Sequence, residues 1–205
     1  NPDQETPKHI VDKLVESARN PRNHRYSASK GITRLRKAVT TWYRTRYGVE
    51  LDPETEAIAT IGAKEGMAHL ALAVLQPGDG VLVPNPTYPI HAFGFIMSGA
   101  VVRSISADPD ETFFHSLERA VKFSIPAPTA LILNYPSNPT AKLASLDFYR
   151  DVVAFARKHN IFVLSDLAYS EIYFDNDIPP SILQVPGAMD IAVEFTSMSK
   201  TYSMP

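Results

Sequence analysis

The sequence predicts an α/β protein, with a mostly parallel sheet and helices on both of its faces. Two observations predict it. From residue 57 onward, short apolar runs rich in Val, Ile and Leu recur, the composition of strands buried on both faces. Stretches with helical apolar spacing separate these runs, and a strand–helix–strand order makes the strands parallel. No internal repeat and no low-complexity tract interrupts the pattern.

Residues 9–18 (HIVDKLVESA) carry apolar side chains at helical spacing. The polar stretch Asn20 to Ser29, with Pro21, reads as loop. Residues 31–47 read as a long helix with Ile32, Leu35, Val39 and Trp42 on one face and Gly48 as its stop. Arg34, Arg36, Lys37, Arg44 and Arg46 are expected on its solvated face. Strands are expected at 57–61, 81–83, 101–105, 130–134, 161–165 and 192–196. Helices are expected near 64–75, 90–98, 112–124 and 145–158.

Composition narrows the function. The chain has 205 residues, with 20 Lys plus Arg against 22 Asp plus Glu, a net charge of −2. Apolar residues make up 44% and charged residues 20%, as in an ordinary globular protein. This excludes a collagen, a disordered tail and a strongly basic nucleic-acid binder. No apolar run approaches the roughly 18 residues of a membrane helix. Cysteine is absent, which rules out a disulfide framework and a thiolate metal site. A reducing compartment is compatible with that, and a cytoplasmic location is expected. The six histidines are dispersed without metal-site spacing, so no metal is expected. The chain begins Asn1-Pro2-Asp3 and stops at Ser203-Met204-Pro205, and is expected to be part of a longer protein.

In open parallel sheets ligands sit beyond the carboxyl ends of the strands. After 57–61 comes Gly62-Ala63-Lys64-Glu65-Gly66, where small residues would let an anion reach the backbone amides of a helix start. After 81–83 comes Pro84-Asn85-Pro86-Thr87-Tyr88-Pro89, a rigid loop holding Tyr88 where it could stack on a planar ligand. After 130–134 comes Tyr135-Pro136-Ser137-Asn138-Pro139-Thr140, which presents the Asn138 amide. After 161–165 come Asp166 and, three residues on, Tyr169. A buried Asp needs a partner, and a ligand cation would supply one. After 192–196 comes Ser197-Met198-Ser199-Lys200, and a partly desolvated lysine forms Schiff bases with aldehydes. Each residue also has an ordinary structural use: a tight turn, a packing tyrosine, an Asn or Asp serving its own turn, a surface lysine. Jointly they suit one ligand with an aldehyde, a phosphate, a planar ring, a phenolic oxygen and a basic ring nitrogen. Pyridoxal 5′-phosphate has all five.

The strings NYPSNPT, SDLAYSEIYFD and SMSKTYSMP closely resemble the class I/II aminotransferases, which are fold-type I pyridoxal-phosphate enzymes. The resemblance runs over the whole chain in the family's order and spacing. It implies that Lys200 forms the Schiff base with the cofactor and moves the proton between substrate Cα and cofactor C4′. It implies that Asp166 pairs with the protonated pyridine nitrogen and keeps the ring an electron sink. Tyr169 and Asn138 would bond the cofactor's 3′ oxygen, and Tyr88 would stack on the ring. The backbone amides of Ala63 and Lys64, with the Ser197 hydroxyl, would hold the phosphate. Tyr26, in RYSASKG, matches the tyrosine that reaches the phosphate of the neighbouring subunit, which implies a homodimer.

The resemblance further implies that residues 1–24 belong to a small domain and 25–205 to the cofactor-binding large domain, incomplete at its C-terminus. Two arginines of the family have no counterpart here: one shortly after the lysine, and one near the carboxyl terminus that clamps the substrate carboxylate. Within the family the stretches PNPTYPIH, NYPSNPTA and DLAYSEI look most like the bacterial-type alanine (glutamate–pyruvate) aminotransferases. Amino acids and 2-oxo acids are then the expected partners, with no nucleic acid and no membrane. The LL-diaminopimelate aminotransferases are close to that group. A pyridoxal-phosphate β-lyase or decarboxylase and a non-catalytic, effector-sensing aminotransferase-like domain are the alternatives.

Overall fold

The computed structural model describes residues 4–204. Asn1–Asp3 and Pro205, where the outer limits of the two expected domains fall, lie outside the described residues. The chain divides into two compact units. One runs up to Thr60 and resumes at Ser197; the other is Ile61–Thr196. No described helix is long and apolar enough to cross a membrane.

The second unit holds a five-stranded parallel sheet. Its strands are β1 (Gly80–Asn85), β2 (Val101–Ser106), β3 (Pro128–Asn134), β4 (Phe162–Asp166) and β5 (Ala192–Phe195). Their order is β2-β1-β3-β4-β5. The connections carry helices α4 (Ile90–Met97), α5 (Glu111–Phe123) and α6 (Leu146–His159), and α3 (Ala63–Val74) precedes β1.

Why this sequence makes a two-faced sheet is visible strand by strand. Successive side chains of a strand point to opposite faces. Val81 and Val83 of β1, Ala130 and Ile132 of β3, and Leu164 of β4 pack with Ala71 of α3 and Phe95 of α4. The residues between them, Leu82, Leu131, Leu133 and Val163, pack with Phe113 and Leu117 of α5 and Phe148, Val152 and Ala156 of α6. A strand covered on both sides has no polar face, so its sequence reads as a continuous apolar run. Burying one side chain of this size is worth about 1.5–3 kcal/mol.

The covering helices are bounded by their own side chains. Asp110 caps α5 by accepting the Thr112 N–H at 2.8 Å, and Ser145 caps α6 by accepting the Phe148 N–H at 3.1 Å. At the far end of α6, Asn160 turns left-handed (φ 54°), and Arg157, Lys158 and His159 occupy the last turn, where the helix dipole favours positive charge.

Sheet order fixes where a ligand can lie. The chain leaves β1 for β2 on one side, then crosses back to lay β3 on the other. Connections diverge at the carboxyl ends of β1 and β3 and open a crevice there.

One expected strand is absent: residues 57–61 form no strand. Ile58 is 68% exposed and Ile61 92%, so among the described residues nothing covers these two side chains. The Ala59 N–H donates instead to the Lys30 carbonyl, before the helix Thr33–Tyr47, at 3.1 Å.

The first unit contains α1 (Lys8–Arg19) and α2 (Thr33–Tyr47). Gly48 ends α2 as expected, at φ 68°, with its N–H on the Arg44 and Tyr43 carbonyls. Arg36 departs from the expected solvated face. It is buried, and its guanidinium donates to the carbonyls of Gly31 and Pro53 and to the Glu54 carboxylate. A planar, five-donor cation can be buried when its donors are met this way. Arg36 therefore anchors residues 53–54 against the start of α2.

Candidate active site

At the carboxyl edge of the sheet in the second unit lie Tyr88, Asn138, Asp166 and Tyr169, four of the residues singled out above. Gly62 opens α3 at φ +83°, ψ 154°, a conformation open essentially to glycine alone. The first N–H groups of a helix have no intrahelical acceptor, so the Ala63 and Lys64 amides open a 12-residue helix. Glu65 ties the turn down by accepting the Ile61 N–H at 3.0 Å.

Tyr88 follows β1 in the Pro-rich loop and is half-buried. The Lys64 ammonium lies 5.5 Å from the centre of its ring. The Tyr88 hydroxyl beside Lys64 holds that ammonium above the ordinary lysine value.

Asp166 ends β4 and is 6% exposed. Two donors meet its carboxylate. Oδ1 accepts the Ala168 N–H at 3.1 Å, so Asp166 does serve its own turn. Oδ2 lies 2.8 Å from His91 Nε2. His91 is fully buried, and its Nδ1 lies 2.7 Å from Thr87 Oγ1. His91 thus bridges the Thr87 hydroxyl and the Asp166 carboxylate through its two ring nitrogens.

The Asn138 amide donates to the Tyr169 hydroxyl at 3.2 Å. Both side chains are half-buried. The loop carrying Asn138 is anchored on both flanks. The Tyr135 hydroxyl donates to the Ala107 carbonyl at 3.1 Å, and Lys142 pairs with Asp108.

Ser197, Lys200 and Tyr26 belong to the first compact unit. Ser197 caps the short helix α7 (Met198–Thr201) by accepting the Ser199 N–H at 3.2 Å. Lys200 is half-buried in that helix. Tyr26 is fully exposed.

Comparison with known proteins gives this arrangement a family. The sequence pattern of the family Aminotransferase class I and II matches residues 1–205. The chain belongs to the class I and II aminotransferases. Among curated relatives, AatC of Rhizobium meliloti is 67% identical over 205 residues. The glutamate-pyruvate aminotransferase AlaC of Escherichia coli is 54% identical over 204. An LL-diaminopimelate aminotransferase of Aquifex aeolicus is 44% identical over 204. Each match covers all of this chain and, in that order, 51%, 50% and 53% of the relative. The chain thus spans about half the length of these relatives. Substrate-bound BacF of Bacillus subtilis superposes with a TM-score of 0.93 at 37% identity, over all of this chain and 52% of that one.

The strand-end rule singles out Tyr88, Asn138, Asp166 and Tyr169. It does not single out Thr87, His91 and Asn134, which hydrogen bonds link to Asp166 and Asn138. His91 sits in the first turn of α4 and reaches a partner 75 residues away. Its local signal is the four-residue spacing from Thr87, in the loop that leads into α4. Asn134 closes an apolar strand, where its amide marks the edge of the crevice.

Proposed function

We propose that this chain supplies the cofactor-holding groups of a pyridoxal-phosphate-dependent aminotransferase. The observation that carries the reading is the buried Asp166 carboxylate at the carboxyl end of β4, beside β3, held by His91. The donor set fits the cofactor. A carboxylate suits a protonated ring nitrogen. The Asn138–Tyr169 pair suits a phenolic oxygen. A glycine-started helix suits a phosphate, and Tyr88 suits a planar ring.

Pyridoxal phosphate, when bound, supplies an electrophilic carbon and a ring that accepts the electron pair left at the substrate Cα. Lys200 anchors it and serves as general base at Cα. Asp166 keeps the proton on the ring nitrogen, and His91 orients Asp166. Asn138 and Tyr169 hold the ring oxygen, and Tyr88 covers the ring. The amides of Ala63 and Lys64 and the Ser197 hydroxyl hold the phosphate. Tyr26 reaches the phosphate site of a second subunit, so the protein works as a homodimer. Residues 1–24 form part of a small domain and the remainder part of the large one. The setting is the cytoplasm.

The substrates we propose are alanine and glutamate with their 2-oxo acids. The support is the 54% identity to the E. coli glutamate-pyruvate enzyme, against 44% to the LL-diaminopimelate enzyme. Borohydride reduction of the full-length protein followed by peptide mass spectrometry tests the cofactor reading. A pyridoxyl adduct on the Lys200 peptide is expected, absent in Lys200→Ala together with turnover. Wild-type turnover in Lys200→Ala at saturating cofactor overturns it. Preference for LL-diaminopimelate over alanine as amino donor overturns the substrate.

A further inference from the structure

We propose that Asn134 is the positioning residue that locks the Asp166 side of the site to the Asn138 side. This rests on the aminotransferase reading above for what the two sides do, and on the geometry alone for the coupling.

Asn134 is the last residue of β3 and is 5% exposed. In the parallel register it lies opposite Asp166 of β4. Its side-chain nitrogen donates to the Asp166 main-chain carbonyl at 3.0 Å and to the Pro136 carbonyl at 3.4 Å. Its side-chain oxygen accepts the Asn138 N–H at 2.9 Å. A primary amide has two N–H donors and one carbonyl, and all three are engaged. One buried side chain therefore fastens the strand end that carries one cofactor contact to the loop that carries the other.

Asn138 needs such a tether. Its loop has Pro136 and Pro139 on either side, so few of its backbone groups can join a ladder. The Asn138 amide must also be aimed, since it donates to the Tyr169 hydroxyl, three residues beyond Asp166. If the Asn138 backbone moved, that aim would be lost. Loss of Asn134 would act on the site through the aim of Asn138, with no contact of its own to a ligand.

The identity of the residue matters. Aspartate has nearly the same shape and keeps an acceptor for the Asn138 N–H, but it presents a second oxygen to two carbonyls. Leucine keeps the volume and removes all three bonds.

The first measurement needs no cofactor. Amide exchange by NMR on the full-length apoprotein should show the Asn138 N–H exchanging about tenfold faster in Asn134→Leu, the factor matching about 1.4 kcal/mol for a lost buried hydrogen bond. The β3 amides should be unchanged. Asn134→Asp should keep that protection, which separates the acceptor from the donors and covers the case in which the leucine variant folds poorly. Unchanged exchange in Asn134→Leu overturns the proposal.

The second measurement uses pyridoxal phosphate as the probe. The pH midpoint of the bound cofactor's absorption band should shift in the same direction in Asn134→Leu and Asn138→Ala, and the double variant should shift no further than Asn138→Ala alone. A stabilising residue with no positioning role would lower the melting temperature and leave the midpoint in place. Additive shifts, or none in the leucine variant, overturn the proposal. If the wild type binds no pyridoxal phosphate, the aminotransferase reading falls while the exchange measurement still decides the tether.

Discussion

His91 Nε2 lies 2.8 Å from Asp166 Oδ2, and both side chains are buried. A buried carboxylate oxygen left without a donor keeps its desolvation cost. His91→Leu keeps bulk and removes the donor to Oδ2, leaving the Ala168 N–H on Oδ1. It should destabilise the protein by about 2 kcal/mol at pH 7 and weaken pyridoxal phosphate binding. Urea denaturation gives the first quantity and equilibrium titration the second. An unchanged urea midpoint would falsify the role of this pair.

Gly62 tests the helix start. A Cβ built there meets open space, so only its φ of +83° resists substitution. Gly62→Ala should cost about 1–3 kcal/mol of backbone strain, or relieve it by turning the first amides of α3 away. In both cases phosphate affinity drops. Inorganic phosphate competing with pyridoxal phosphate reads this directly, and equal competition in variant and wild type counts against the role given to α3.

Tyr135 tests the anchoring of the Asn138 loop. Burial pushes its phenol far above the usual tyrosine value, so it stays neutral and donates to Ala107. Tyr135→Phe keeps the edge-on contact with Phe148, at 5.5 Å between ring centres, and orphans the carbonyl. A loss of about 1–2 kcal/mol is expected, measured by urea denaturation. No loss means that water replaces the hydroxyl.

Asp110 supplies a pH dependence. Hydrogen bonds from the Thr112 hydroxyl and backbone N–H hold its carboxyl below the usual value. A lowered folded-state pKa gives stability that is present above the unfolded value near 4 and lost as pH falls through the folded value. Asp110→Ala should therefore melt earlier than wild type at neutral pH, and the two curves should converge below about pH 4. A gap that persists at low pH refutes the charge-assisted cap.

Much of the sheet was legible because burial on both faces leaves an unbroken apolar run, as in ALILN of β3 and FVLS of β4. The same signal misled at 57–61, where Ile58 and Ile61 face outward; an apolar run does not reveal whether a second layer exists to cover it. Basic spacing likewise placed Arg36 in solvent, although Glu54 and two carbonyls draw it inward. At the candidate site, Asp166, Asn138 and Tyr169 were singled out because Asp166 ends a strand and the other two follow one. His91 and Asn134 were not. Their partners lie 75 and 32 residues away, and no local pattern encodes a contact that the sheet order creates.

That order has a consequence for endurance as well as for chemistry. β3 lies beside β1 only because β2 was laid outside it, so the crevice exists once pairings such as Leu82 with Leu131 have closed over long stretches of chain. An open chain has no such edge. A ligand seated there is bound by the closed sheet and not by the open chain, and mass action then adds about 2.7 kcal/mol at a hundredfold excess over its dissociation constant. Occupancy and sheet closure become one equilibrium. A protein starved of its ligand would unfold, and be degraded, sooner than one that is supplied.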